Sequence, residues 1–279
     1  MKALLTPSTA REVLERHGLA TRKRAGQHLL VDPNTVRRIV AAALLDADDV
    51  VLEIGPGIGS LTLGLAPAVR RIVAVEIDAG FVAALAEVLA DVAGVEVVHA
   101  DALDVDLAAL VDGGPARLVA NLPYNIATPI VMNALASGAF TDLFVMVQRE
   151  VGERWAARPG DADYAGVSAK LGVLADVTVV LHVPRGVFLP VPNVDSVMAR
   201  LVRRVDAPGP ERFAAIARVI DAAFSQRRKT LRNTLRQLGT AEEVADAAAD
   251  AGVDLASRAE QLAPATLVRL ADAFGHDRP

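Results

Sequence analysis

The sequence predicts an α/β fold, a mostly parallel sheet wound with helices, followed by a smaller helical domain. Short β-branched runs alternate with Ala- and Gly-rich stretches through most of the chain. The last two such runs follow one another with only a loop between them, and beyond them the apolar period changes from strand to helix.

The runs are, in order, "VVLEI" (50–54), "RIVAV" (71–75), "VEVV" (95–98), "RLVAN" (117–121), "LFVMVQ" (143–148), "VTVVLHV" (177–183) and "VMARLV" (197–202). Strands of this length joined through helical segments form βαβ units, whose parallel sheet is covered on both faces. The direct succession of 177–183 and 197–202 breaks the alternation, so the sheet is expected to end in an antiparallel pair. After "RRVDAPGP" (203–210), "ERFAAIARVIDAAF" sets Phe213, Ile216, Ile220 and Phe224 on one helical face. "KTLRNTLRQL" repeats leucine at 231, 235 and 238, and "PATLVRLADAF" starts at Pro264, a residue suited to a first helical turn. A boundary near Asp206 follows, with residues 1–205 as the first domain and 206–279 as a helical second one.

The 279 residues are 52% hydrophobic and 23% charged, the composition of an ordinary globular chain. No apolar run approaches the ~18 residues of a membrane span, and the N-terminus lacks a signal-peptide pattern, so a cytoplasmic location is expected. The absence of cysteine excludes disulfides, thiolate nucleophiles and Cys-based zinc sites. Five scattered histidines have no metal-ligand spacing, and no metal is expected. The net charge of −5 hides an asymmetry. Val197–Leu238 holds ten basic residues against three acids, Gly239–Pro279 three against eight, and residues 1–37 seven against three.

"VLEIGPGIGSLTLGL" puts Gly55, Gly57 and Gly59 between a strand and a helix, where glycine lets the backbone turn sharply and approach a ligand. A dinucleotide fingerprint would want its third glycine at 60, where this chain has Ser60, and that disfavours a nicotinamide-dependent dehydrogenase. G-x-G-x-G with an acid, Glu53, two residues earlier is the pattern of S-adenosylmethionine sites. Glu76 ends the second strand, where a carboxylate can accept from both hydroxyls of a ribose. Asp101 follows the third, where one can accept from the amine of an adenine.

The fourth strand ends in "NLPY". An adenine amino group is a poor nucleophile because its lone pair is delocalised into the ring. Two acceptors aimed at its N–H bonds, the Asn121 side-chain oxygen and the Leu122 carbonyl, would localise that pair and draw the nitrogen toward tetrahedral geometry. Pro123 fixes the turn, and Tyr124 offers a flat face for an extracted base.

"NLPYNIATP" after "EIGPGIGSLT" resembles the KsgA (RsmA) family of ribosomal RNA adenine N6-dimethyltransferases, relatives of the Erm methyltransferases. The likeness extends through "GQHLLVDPNTVRRIV", "MVQREVGERWAARPGDADYAGVS", "VFLPVPNVDSVMARL", "AFSQRRKTLRNTL" and "SRAEQL", in the family's order. It implies a Rossmann-like, S-adenosylmethionine-dependent methyltransferase fold with a seven-stranded sheet and a small helical C-terminal domain that binds ribosomal RNA. By position it implies a cofactor shell of His28, Leu30, Gly55, Glu76, Asp101 and Asn121, to which the glycine loop adds Gly57. Phe188 is implied as a second stacking face opposite Tyr124. The family usually has Asn-Phe where this chain has His28-Leu29, so a His28 contact with the cofactor goes through a ring nitrogen or only the backbone.

The resemblance further implies dimethylation of two adjacent adenosines in the terminal hairpin loop of 16S ribosomal RNA within the assembling 30S subunit, by an enzyme expected to be monomeric. Arg22, Lys23 and Arg24, with Arg227, Arg228, Lys229, Arg232 and Arg236, are the candidate phosphate contacts; the second group is expected to spread around a helix. Two alternatives stand beside this reading. One is an Erm-type enzyme acting on large-subunit RNA, which typically has Asn-Ile-Pro-Tyr and lacks the Gln-Arg-Glu block; the other is a non-catalytic RNA-binding assembly or transcription factor on the same fold.

Overall fold

The computed structural model describes residues 2–19 and 28–275; Arg22, Lys23 and Arg24 lie outside them. In chain order the strands are β1 (Leu29–Leu30), β2 (Val50–Ile54), β3 (Arg71–Glu76), β4 (Val95–His99), β5 (Ala116–Asn121), β6 (Phe140–Gln148), β7 (Ala175–Val183), β8 (Phe188–Leu189) and β9 (Ser196–Arg203). The helices are α1 (Pro7–Arg16), α2 (Pro33–Ala43), α3 (Ser60–Leu65), α4 (Ala79–Val88), α5 (Leu107–Leu110), α6 (Ala127–Ser137), α7 (Arg149–Ala156) and α8 (Gly166–Leu174), then α9 (Pro210–Phe224), α10 (Leu231–Thr234), α11 (Ala241–Ala251) and α12 (Pro264–Gly275). All seven expected runs are strands of one sheet, ordered β4-β3-β2-β5-β6-β9-β7. The fold is the α/β class that the alternation predicts.

β2 pairs in parallel with β3 and β5, β3 with β4, and β5 with β6, whereas β9 runs antiparallel to β6. β2 is buried along its whole length and β3 and β5 along all but an end residue, as expected of strands covered on both faces. β4 and β7, at the two edges, are partly exposed. Side chains from the ends of the helices complete the local structure. Asp32 accepts the Thr35 N–H at 2.6 Å and starts α2, while Asp78 accepts from Gly80 and Phe81 and starts α4. A separate two-residue ribbon pairs Leu29 with Leu189 and Leu30 with Phe188.

The chain divides into two units, one of Met1–Gly152 with Thr178–Val202, the other of Glu153–Val177 with Arg203–Pro279. The expected boundary at 205/206 is close to the last crossing, but the helical unit also takes in α8. Tyr164, Ala169 and Val173 explain this, because they are buried in one core with Ile216, Ile220, Leu231, Leu267 and Leu270. Within that unit, Thr240 and Glu243 form a reciprocal capping box that starts α11. The expected helix over 229–238 is shorter: α9 stops at Phe224, and Thr230 precedes the brief α10. Gln237 Nε2 donates to the carbonyl of Ala222 and to Ser225 Oγ, closing the end of α9.

Candidate active site

From the central β2–β5 pair the strand order runs outward in both directions, which opens a crevice at the carboxyl ends of the strands. A cavity of about 270 Å³ occupies it, lined by Gly55 and Gly57 after β2, Glu76 and Asp101 at the ends of β3 and β4, Asn121–Tyr124 after β5, and His28 before β1. These residues come from segments far apart in sequence, and the sheet brings them together.

Gly55 and Gly57 have φ of +68° and +58°, the left-handed region that glycine enters without a steric penalty. A Cβ at Gly57 would meet Leu29 Cδ2 at 2.5 Å. The turn aims the Gly57 N–H at Glu76 Oε2, 3.1 Å away, and Asp78 N–H donates to Oε1 at 3.0 Å. Burial pushes the Glu76 carboxyl above the usual carboxylate range, with these backbone donors pulling the other way. Each oxygen retains capacity for a further donor. Asp101 Oδ1 accepts from Leu103 N–H at 2.9 Å, and Oδ2 has no partner among the described residues.

The residues fit an adenosine. Ile77 and Leu103, just beyond the two acids, line the same cavity although 60% and 39% exposed, an arrangement that puts apolar faces beside carboxylate acceptors. Beneath the loop, Glu53 is fully buried, and burial, with the charge of Glu76 adding to it, pushes its carboxyl up to about 8. It is therefore neutral near pH 7. Among the described residues no group of His, Asp or Glu could hold a metal ion.

Asn121 Nδ2 donates to the His28 carbonyl at 2.8 Å, which leaves Oδ1 as an acceptor. Leu122 N–H donates to the Met146 carbonyl at 3.2 Å, and the Leu122 carbonyl has no partner among the described residues. The Pro123 ring lies against Gly55, 3.4 Å from where its Cβ would be. Tyr124 is half-buried, its hydroxyl 2.8 Å from Ser196 Oγ and its ring centroid 5.5 Å from that of His28 at a 31° tilt. Burial pushes the Tyr124 phenol up, partly offset by the Ser196 bond. His28 Nδ1 donates to the Pro190 carbonyl at 2.9 Å, so the ring is tied to the turn after β8.

Two expected site residues fall elsewhere. Leu30 and Phe188 are cross-strand partners on the ribbon, both buried in the core with Val183 and Met198, and neither lines the cavity. Alternation along a strand accounts for this: Leu29 takes the cavity face, and Leu30 the opposite one. The ring beside Tyr124 is that of His28. Sequence reasoning assigned no role to Leu29, Ile77, Leu103 or Ser196. An aliphatic residue following each strand-end acid was the available signal for Ile77 and Leu103, whereas nothing local marked Leu29 or Ser196.

In the helical unit, Arg227, Arg228 and Lys229 lie in the connection between α9 and α10 and not around a helix, and Arg232 lies on α10. All four are exposed. Arg227 donates to the Ala162 carbonyl, whereas the side chains of Arg228, Lys229 and Arg232 make no hydrogen bond or ion pair among the described residues.

A model of the ribosomal RNA adenine dimethylase family matches residues 18–275. The ribosomal RNA small subunit methyltransferase A of Thermobifida fusca (strain YX) is 47% identical over 276 residues, 96% of each chain. Its counterpart in Phenylobacterium zucineum (strain HLK1) is 43% identical, over 98% of this chain and 94% of that one. Among solved structures, a dimethyladenosine transferase from Plasmodium falciparum has a TM-score of 0.74 at 25% identity, covering 87% of this chain and 96% of its own. The 23S rRNA methyltransferase ErmE has a TM-score of 0.66 at 28% identity, covering 88% and 99%.

Proposed function

The chain belongs to the ribosomal RNA adenine dimethylase family, and we propose from that premise that it dimethylates N6 of two adjacent adenosines in the 3′-terminal hairpin loop of 16S ribosomal RNA. It is an S-adenosylmethionine-dependent methyltransferase. The small-subunit reading rests on the curated relatives at 47% and 43% identity, against 28% for ErmE. On this reading the substrate is 16S RNA within the assembling 30S subunit, and the enzyme works as a monomer in the cytoplasm. Among the described residues no helix is long and apolar enough to cross a membrane.

The observation that carries the chemistry is the state of Asn121. Its amide nitrogen is committed to the His28 carbonyl, so Oδ1 is the atom left for substrate, next to the open Leu122 carbonyl. Together they accept the two N6–H bonds of an adenine and hold its lone pair out of conjugation. Tyr124 supplies the stacking face for the flipped base. Glu76 accepts the ribose hydroxyls of the cofactor, Asp101 its adenine amine, and Gly55 and Gly57 allow the close approach. When bound, S-adenosylmethionine supplies a sulfonium methyl as the electrophile. No side chain has to remove a proton before transfer. After one methyl only one N–H remains for two acceptors, so the monomethyl base is held differently from the first.

Leu30 and Phe188, on this reading, back the ribbon that carries His28 and Leu29. Arg227, Arg228, Lys229 and Arg232 contact RNA phosphates, as do Arg22, Lys23 and Arg24. The test supplies labelled S-adenosylmethionine with unmethylated small subunits, naked 16S RNA or large subunits in turn. Incorporation into adenine of the small subunit is expected; incorporation only into the large subunit would overturn the assignment.

A further inference from the structure

Stacking a base requires a flat aromatic face, which phenylalanine supplies as well as tyrosine. Position 124 nevertheless carries a hydroxyl, and its oxygen lies 2.8 Å from Ser196 Oγ. Ser196 stands at the start of β9, across from Gln148 on β6, and is completely buried. A buried hydroxyl costs free energy unless it is paired, and alanine would fit the same space. Tyr124 is the only hydrogen-bond partner of Ser196 Oγ among the described residues. The polar atom at 196 and the polar atom at 124 therefore account for one another.

The geometry gives that pair a task. Tyr124 hangs from the turn after β5 by its backbone, and without a fixed tip its ring can pitch about the side-chain torsions. Ser196 holds the tip from the rigid interior of the sheet, while His28 borders the ring at 5.5 Å and is itself tied to the Pro190 carbonyl. A stacked base must meet the Asn121 and Leu122 acceptors while lying flat on this ring. A drifting ring would satisfy one requirement at the expense of the other.

We propose that Ser196 is a positioning residue for the target adenine, acting through the Tyr124 hydroxyl to hold the stacking face at a constant pitch to the Asn121 and Leu122 acceptors. The proposal rests on the reading of Tyr124 as the base-stacking ring. It also explains why the chain uses tyrosine at 124: the ring serves the base, and the hydroxyl serves the anchor.

The test compares the full-length chain with Ser196→Ala, Tyr124→Phe and the double variant, on unmethylated small subunits and on a hairpin RNA with 2-aminopurine at the target adenosine. Each single substitution removes one hydrogen bond and is expected to lower kcat about three- to tenfold, with S-adenosylmethionine affinity unchanged. The double variant should be no slower than the slower single, because both remove the same bond. The quenching of 2-aminopurine on binding should weaken equally in all three. Tyr124→Phe keeps the ring and the buried surface, so the question does not depend on how Ser196→Ala folds. Single variants that match the wild type in kcat and fluorescence, or losses that multiply in the double, would overturn the Ser196 role alone. A wild-type chain that methylates no small-subunit adenine overturns the underlying reading and this proposal with it.

Discussion

At the amino ends of the strands, Arg117 of β5 donates to Asp142 on β6 at 2.7 Å, to Asp49 before β2 at 3.1 Å, and to the Ala43 and Leu44 carbonyls that end α2. Arg200 of β9 reaches the same Asp142. At the carboxyl ends, Glu76 and Asp101 meet backbone N–H groups and no guanidinium. One strand, β5, carries both characters, with Arg117 near its start and Asn121 at its end. The contrast teaches how to separate charges that tie the strands together from charges left open at the crevice. The first kind meet ionic partners within the chain, although Arg117 Nε, Asp142 Oδ1 and Arg200 Nε stay without a hydrogen bond among the described residues, whereas the second are oriented by backbone N–H groups and keep acceptor capacity.

Breaking the ion-paired end should have the largest effect. Arg117→Met leaves buried Asp142 with Arg200 alone, takes the ion pair from half-buried Asp49 and frees the Ala43 and Leu44 carbonyls, and should lower the unfolding free energy by about 3 kcal/mol, read from urea denaturation. S-adenosylmethionine affinity of the folded fraction should be unchanged; a large loss of affinity would mean that the two ends are coupled. Asn121→Ala reverses the pattern. It should reduce kcat about 10²- to 10³-fold with only a small change in melting temperature.

Glu53 sharpens the comparison, being an acid with neither kind of partner. Folded, it keeps its proton to about pH 8 against an ordinary value of 4.5, and burial is the main cause. Between those limits the unfolded chain binds fewer protons than the folded one, so its contribution is full below the unfolded value and is lost as pH rises, at about 1.4 kcal/mol per unit. Glu76, raised in the same direction, adds to the trend. Glu53→Gln should therefore save about 2 kcal/mol of the stability that the wild type loses between pH 6 and pH 8. Parallel pH curves for the two proteins would refute this. The smallest effect on the fold is expected where charges are exposed. Replacing Arg227, Arg228 and Lys229 together with alanine should leave melting unchanged, weaken binding to small subunits, and flatten the plot of log affinity against log salt by about 2.

What was legible in the sequence follows the range of the interactions. The seven long strands appear at or within a few residues of their runs because their burial is written locally, in β-branched residues between turns. That Gly55, Gly57, Glu76, Asp101 and the Asn121–Tyr124 turn would line one crevice was legible because topology sends strand ends there. The two-residue ribbon was not, because a pair of leucines has no period to show which of them faces the core. Hence Leu30 was expected where Leu29 stands. α8 was assigned to the wrong side of the boundary for a related reason, since its core partners come much later in the chain. In the basic stretch, the helical spacing of Leu231, Leu235 and Leu238 was visible, but the break before Thr230 was not.

The bonds that complete the site span 93 residues from Asn121 to His28, 72 from Tyr124 to Ser196, and 162 from His28 to Pro190. The central β2–β5 pairing, Val51 with Arg117, also joins segments far apart in the chain, so the middle of the sheet and the site both depend on closing long loops. The site thus hangs on a segment outside the seven-stranded sheet, and a truncation that takes His28 would remove the partner of Asn121 without removing any of those seven strands.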